Sequence, residues 1–105
     1  MRLEKMLPIG SVVCLNGSRF LLMIIGCNQV NGATRQLFDY SGVIFPMGYT
    51  DERHIYMFDH KDITTVYAVG LLDEESRAFQ AQALEENSRL RSGAMTVSEF
   101  LGAGR

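Results

Sequence analysis

This chain has no tryptophan, and only two each of cysteine, proline and histidine among its 105 residues. It also lacks a long apolar run. The longest, Phe20-Leu21-Leu22-Met23-Ile24-Ile25, falls far short of the roughly 20 residues that span a bilayer, so no membrane insertion is expected. Nor is there an excess of positive charge. The formal net charge is -2 and the pI about 5.6, with Arg19, Arg35, Arg53, Lys61 and Arg77 scattered rather than gathered into a stripe. A nucleic-acid binder would show a basic field, so that class is set aside. Arg89 and Arg91 read as favourable charge near a helix C-terminus. Met1 to Pro8 has an early acid, an early proline and no apolar h-region, so no leader is expected and the cytoplasm is the expected location.

Two cysteines are too few for a disulfide framework, and these two are badly placed to pair. Cys14 and Cys27 lie on successive hairpin strands joined near Asn16-Gly17-Ser18. Either turn placement sets Cys14 opposite Arg19 or Leu21, leaving Cys27 at least roughly 20 Å away at about 3.3 Å per strand residue. A disulfide holds its Cα atoms about 4.4–6.8 Å apart, so both are expected as reduced, buried thiols.

Catalytic and metal-binding patterns are missing as well. His54 and His60 share strand parity and lie near Asp51, Asp59 and Asp62, but their spacing matches no compact ligand motif, and turn and rim roles account for all five. Ser41-Gly42 is not part of a Gly-x-Ser-x-Gly elbow, and Cys14 sits in an apolar strand that would keep its thiol protonated. Asp73-Glu74-Glu75 reads as a helix start rather than an acid pair. Gly102-Ala103-Gly104 has no helix behind it to make a phosphate loop. The expectation is a non-enzymatic chain with no cofactor and no metal.

What is present is a series of short strands. Ser11 to Leu15 is the first, set off by Pro8 and Gly10, and Asn16-Gly17 is a strong hairpin signal because both residues tolerate positive φ. Arg19 to Ile25 is apolar on both faces, with Phe20, Leu22 and Ile24 alternating with Leu21, Met23 and Ile25, and such a strand needs cover on two sides. Gly26 is read as closing it and Val30-Asn31-Gly32 as the next turn. Thr34 to Phe45 is too long to run straight, and Gly42 marks the expected bulge or bend. His54 to Phe58 alternates as a strand. Asp59 to Asp62 resembles one capped helical turn, and Thr64 to Val69 is a last β-branched strand ended by Gly70.

The C-terminal third changes period. Asp73 is a good N-cap and Gly93 a good stop, and Leu72, Phe79, Ala83 and Leu90 form a thin stripe at helical spacing, interrupted by Glu86. The tail from Ala94 to Arg105 is read as frayed. The whole predicts one α+β domain over residues 1–105, with a β-rich core at 7–70, a helix at 73–92 and a flexible tail at 94–105. The β part is a small, strongly bent antiparallel sheet of about five strands, a partly closed SH3-like barrel with one C-terminal helix. An open curled sheet with the helix across one face is the alternative.

Large apolar side chains in the turn Phe45-Pro46-Met47-Gly48-Tyr49 either cap the open end of the barrel or form a contact patch. The helix and tail add Phe79, Leu90, Met95, Phe100 and Leu101, more apolar surface than a domain this small is expected to cover. These eight residues, Phe45, Met47 and Tyr49 included, are the candidate partner-binding set. Self-association is left open.

The ordered segments Leu7-Pro8-Ile9-Gly10-Ser11-Val12-Val13, Leu22-Met23-Ile24-Ile25-Gly26, Phe38-Asp39-Tyr40-Ser41-Gly42, Phe45-Pro46-Met47-Gly48-Tyr49 and Phe58-Asp59-His60-Lys61-Asp62-Ile63, with Val66 and Gly70, carry a family resemblance. The stretch from about Leu7 to Glu75 resembles a small domain-of-unknown-function family encoded beside LXG polymorphic toxins and type VII secretion genes in Gram-positive bacteria. The resemblance brings no catalytic residues. It implies an accessory role, binding a cognate LXG toxin or a secretion targeting factor before export. Exported type VII substrates resemble helical hairpins with a Trp-x-Gly turn and a Tyr-x-x-x-Asp/Glu signal. This chain has no tryptophan, and no tyrosine is followed by an acid four residues on. The expectation is therefore an adaptor or chaperone acting from inside, with an immunity protein that neutralises a neighbouring toxin as the alternative.

Overall fold

Residues 5–102 are described by the computed structural model. The Asn16-Gly17 turn folds β1 (Val12–Leu15) back on β2 (Leu21–Val30), pairing Cys14 with Leu21. β2 continues antiparallel to β3 (Leu37–Phe45), β3 to β4 (Ile55–Phe58), and β5 (Ile63–Ala68) returns to lie against β1. The strand order is β4-β3-β2-β1-β5. The sheet is therefore open, with β4 and β5 as its edges, and the barrel expectation gives way to a curled five-stranded sheet.

The connection between those edges explains the curl. In a flat sheet β4 and β5 would lie four strand spacings apart, roughly 19 Å. Only residues 59–62 join them, and His60–Asp62 is a 3₁₀ turn that advances only about 2 Å per residue. The sheet must bend until its two edges approach that short span. The turn is fastened as its sequence suggests: the Asp62 carboxylate accepts from the Asp59 N–H at 3.0 Å. Asn16 N–H donates to the Asp62 carbonyl at 2.9 Å, tying the first hairpin to the same corner.

Gly26 does not end β2. Register runs from Ile24 opposite Gly42 to Gly26 opposite Ser41, which leaves Ile25 as the extra residue of a bulge. The irregularity expected at Gly42 thus lies on the facing strand. Beyond it Cys27, rather than Gly26, is buried, and the strand runs on to Val30. The core gathers Val13, Leu22, Ile24, Cys27, Tyr40 and Phe58 from the sheet, Met6 from the N-terminal segment and Ala83 from α1 (Glu74–Ser92). Both cysteines are free thiols.

α1 begins where its caps predict: Asp73 accepts from Ser76 N–H at 2.8 Å, and Gly93 ends it in the left-handed region at φ 84°. Its docking face differs from the predicted stripe. Leu72 precedes the helix and is exposed, Phe79 is exposed, Leu90 is half-buried, and Ala83 is the one stripe residue fully buried. The face that meets the sheet carries Ala83, Asn87 and Arg91 with Leu84 packed beside the core, and it is more polar than the predicted stripe.

The tail also departs from expectation. Val97–Gly102 forms a second helix, α2, and Phe100 is 2% exposed. Thr96 and Glu99 cap it reciprocally, with Glu99 N–H donating to Thr96 Oγ1 at 3.1 Å and Thr96 N–H to Glu99 Oε1 at 3.0 Å. Residues 103–105, and with them Ala103 and Gly104 of the Gly102-Ala103-Gly104 run, lie outside the described residues.

Candidate protein-binding surface

α1 is held to the sheet by a buried hydrogen-bonded cluster. Asn28, at a positive φ of 52°, donates from Nδ2 to the Ala83 carbonyl at 2.7 Å. Asn87 Nδ2 donates to Asn28 Oδ1 at 2.9 Å and to Asp39 Oδ1 at 2.8 Å. Arg91 Nη2 bridges Asp39 Oδ1 and Asp59 Oδ1 at 2.9 and 2.8 Å. Asp39 Oδ2 accepts from His60 N–H at 2.9 Å, and Asp39 N–H donates to Asp59 Oδ1 at 3.0 Å. Arg91 is thus an ion-pair partner of two carboxylates rather than simply a charge at the helix end.

Electrostatics follow from this geometry. Burial raises the pKa of Asp39, but the donors His60 N–H, Arg91 and Asn87 outweigh it, so the carboxyl lies below its usual range. Desolvation pushes the Tyr40 hydroxyl up to about 12, and the charge of Asp39 adds to that. Tyr40 Oη accepts from Leu7 N–H at 3.0 Å and lies within hydrogen-bond distance, 2.7 Å, of His60 Nδ1. Among the described residues no buried side-chain nitrogen or oxygen lacks a partner. Sequence reading missed this cluster, although Asn87 and Arg91 sit at i and i+4, because a count of apolar positions skips them.

The residues weighed for chemistry are dispersed. His54 Nδ1 lies 2.8 Å from Asp51 Oδ1 on the surface, His60 faces Tyr40, Asp59 meets Arg91 and Asp62 caps the 3₁₀ turn. Among the described residues no three His, Cys, Asp or Glu side chains gather into a metal-binding group. Ser41 Oγ donates to Gln29 Oε1 at 3.1 Å, and Cys14 Sγ lies 3.6 Å from the Ser18 carbonyl.

The eight candidate contact residues fall into two separate groups. Phe45, Met47 and Tyr49 are exposed at the β3–β4 turn, Met47 by 68% and Tyr49 by 61%. Phe20, its ring tilted against Tyr56 with centroids 5.6 Å apart, extends that patch at the start of β2, where Leu21 pairs with Phe45. The C-terminal group is at the other end of β3: Arg35, just before that strand, donates to Ser98 of α2 at 2.9 Å. Eight residue steps separate Leu37 from Phe45, on the order of 26 Å along a strand. Leu101 is exposed there, Leu90 and Met95 are half-buried, and Phe79 is exposed nearer the start of α1. Phe100 is interior and leaves the contact set. The two groups do not make one surface.

A curled five-stranded antiparallel sheet with a C-terminal helix across it defines a small α+β protein of the sheet-and-helix class. The chain belongs to a family described as a domain of unknown function, DUF4176, which matches residues 6–79. That match holds the whole sheet and the first turns of α1, but not Asn87, Arg91 or α2. No curated protein and no solved structure matches the chain.

Proposed function

We propose that this chain is a non-enzymatic adaptor or chaperone acting in the cytoplasm, and that its partner is a protein: an LXG toxin or a targeting factor of type VII secretion. The observation that carries the reading is the group of large apolar side chains, Phe45, Met47 and Tyr49, exposed on one turn of a small domain. Aromatic and methionine side chains are enriched at the centres of protein interfaces. The polar side chains weighed for catalysis or metal binding have structural partners instead, which favours binding over chemistry. The partner's identity rests on the family resemblance alone.

The test is a pull-down from native lysate with and without the neighbouring LXG protein. Capture through the LXG or targeting region supports the adaptor. Capture of the toxin's C-terminal domain with loss of toxicity would replace it with an immunity protein. No capture of either would end the secretion reading.

A further inference from the structure

A groove of about 460 Å³ opens between the N-terminal segment, the β5–α1 connection and the first half of α1. Met6 and Pro8 form one side, Leu72 and Leu84 the other, and among the described residues Lys5 and Arg77 are the only charged ones lining it. Its volume is in the range of sites that take small ligands or a short stretch of peptide. Both cations are exposed on a chain of net negative charge, and neither forms an ion pair with a carboxylate among the described residues. Arg77 uses Nε to donate to the Leu72 carbonyl at 3.3 Å, which steadies the guanidinium beside the groove.

We propose that this groove holds a short apolar segment of the partner protein whose flanking carboxylates meet Lys5 and Arg77. The proposal rests on the reading of the chain as a protein-binding module and names the chemistry of what it binds. Charge selects the occupant: an apolar trough whose charged lining, among the described residues, is Lys5 and Arg77 favours an apolar segment with acidic flanks and disfavours a basic one. A peptide, rather than a free fatty acid, fits the apolar surface beyond the trough. Leu71, next to Leu72 in the chain, is 75% exposed and gives a further side chain a place to rest.

The experiment uses two fluorescein-labelled twelve-residue peptides with the same Leu/Val centre, one flanked by Asp and Glu and its twin by Lys, titrated by anisotropy at low salt. The acidic peptide is expected to bind at least about tenfold tighter than its twin. Arg77→Glu should erase that preference and Leu72→Asp should weaken both peptides, with circular dichroism as the folding control. Should Leu72→Asp fail to fold, the exposed Arg77→Glu change decides alone. Equal affinity for the two peptides, no effect of Arg77→Glu, or displacement of the peptide by one equivalent of oleate would overturn the proposal. The same variants are then run in the pull-down. Undiminished capture by Arg77→Glu overturns the groove and leaves the adaptor reading standing, whereas peptide selectivity without capture by the wild type overturns the partner and leaves the groove standing.

Discussion

Asp39 on β3 and Arg91 near the end of α1 are 52 residues apart in sequence and 2.9 Å apart in space, and their pairing is one of the polar contacts that hold the helix on the sheet. Asp39 is 4% exposed, so its carboxylate depends on donors that the helix supplies. Removing one partner of such a group leaves a buried acceptor short of donors, at a cost of about 1–3 kcal/mol. Asn87→Ala is expected to cost that much or more, because it strips a donor from both Asn28 and Asp39. Arg91→Ala is expected at the lower end, since its side chain is partly exposed and water can replace it. Urea denaturation midpoints check both, and an Asn87→Ala midpoint equal to wild type would show that α1 is held by something else.

Asp39 also sets an acid limit. Its carboxyl titrates below the usual range in the folded state, so folded protein favours the charged form. That stability is fully present above the unfolded carboxyl pKa, about 3.9, and is lost as pH falls through the lower folded value. Stability of the wild type should therefore drop below about pH 4, and Asp39→Asn should flatten that slope while lowering stability at neutral pH. Thermal melts from pH 2.5 to 7 supply the comparison. Parallel slopes in the two proteins would assign the acid limit to other carboxylates.

Tyr40 sets a limit at the alkaline end with the opposite sign. Its hydroxyl is pushed up to about 12, while in the unfolded chain it ionises near 10. Between those values the unfolded chain loses a proton that the folded one keeps, so stability falls by about 1.4 kcal/mol per pH unit. Tyr40→Phe should remove that slope while losing the contacts to Leu7 and His60 at neutral pH. Denaturation at pH 9 to 11.5 measures it, and an unchanged slope in Tyr40→Phe would refute the assignment.

Gly70 is required for a reason of space. A Cβ there would land on the Ile9 carbonyl, which is backbone and cannot swing away. Gly17, by contrast, has open space around a Cβ and only its positive φ of 76° to resist alanine. Gly17→Ala is expected to cost about 1 kcal/mol. Gly70→Ala should cost clearly more, because the N-terminal segment must move away from β5. Comparable midpoints for the two variants would show that the crossing of residues 9 and 70 is loose.

Local signals carried most of the fold. The Asn16-Gly17 hairpin, the Asp73 and Gly93 ends of α1 and the β-branched run of β5 depend on neighbours a few residues away, and each falls where the sequence puts it. The doubly apolar strand is buried at Leu22 and Ile24 but not at Ile25, which shares the opposite face with the half-buried Leu21 and Met23. What was not legible depends on distance in the chain. Asn28, Asp39 and Asp59 meet Asn87 and Arg91 only after the sheet has curled, and nothing local marks a polar helix face as the docking face. The Thr96-x-x-Glu99 cap of α2 was visible, yet the surrounding Gly-rich composition suggested a frayed end.

The burial of Phe100 divides the candidate surface into a part that folds the chain and a part that is free to bind. Phe100→Ala opens a hole in a buried site and is expected to cost about 3–5 kcal/mol. Truncation before Val97, which a frayed tail would tolerate, should therefore lower the melting temperature. Met47 and Tyr49 have no such role: both are largely exposed, so Met47→Asp and Tyr49→Ala should change stability by less than about 0.5 kcal/mol. If the turn is the centre of the interface, each should weaken binding of the captured partner about tenfold, about 1.4 kcal/mol. Calorimetry on the folded variants gives the answer. Wild-type affinity in both would remove the 45–49 turn from the interface and leave the groove beside Leu72 as the surface to map.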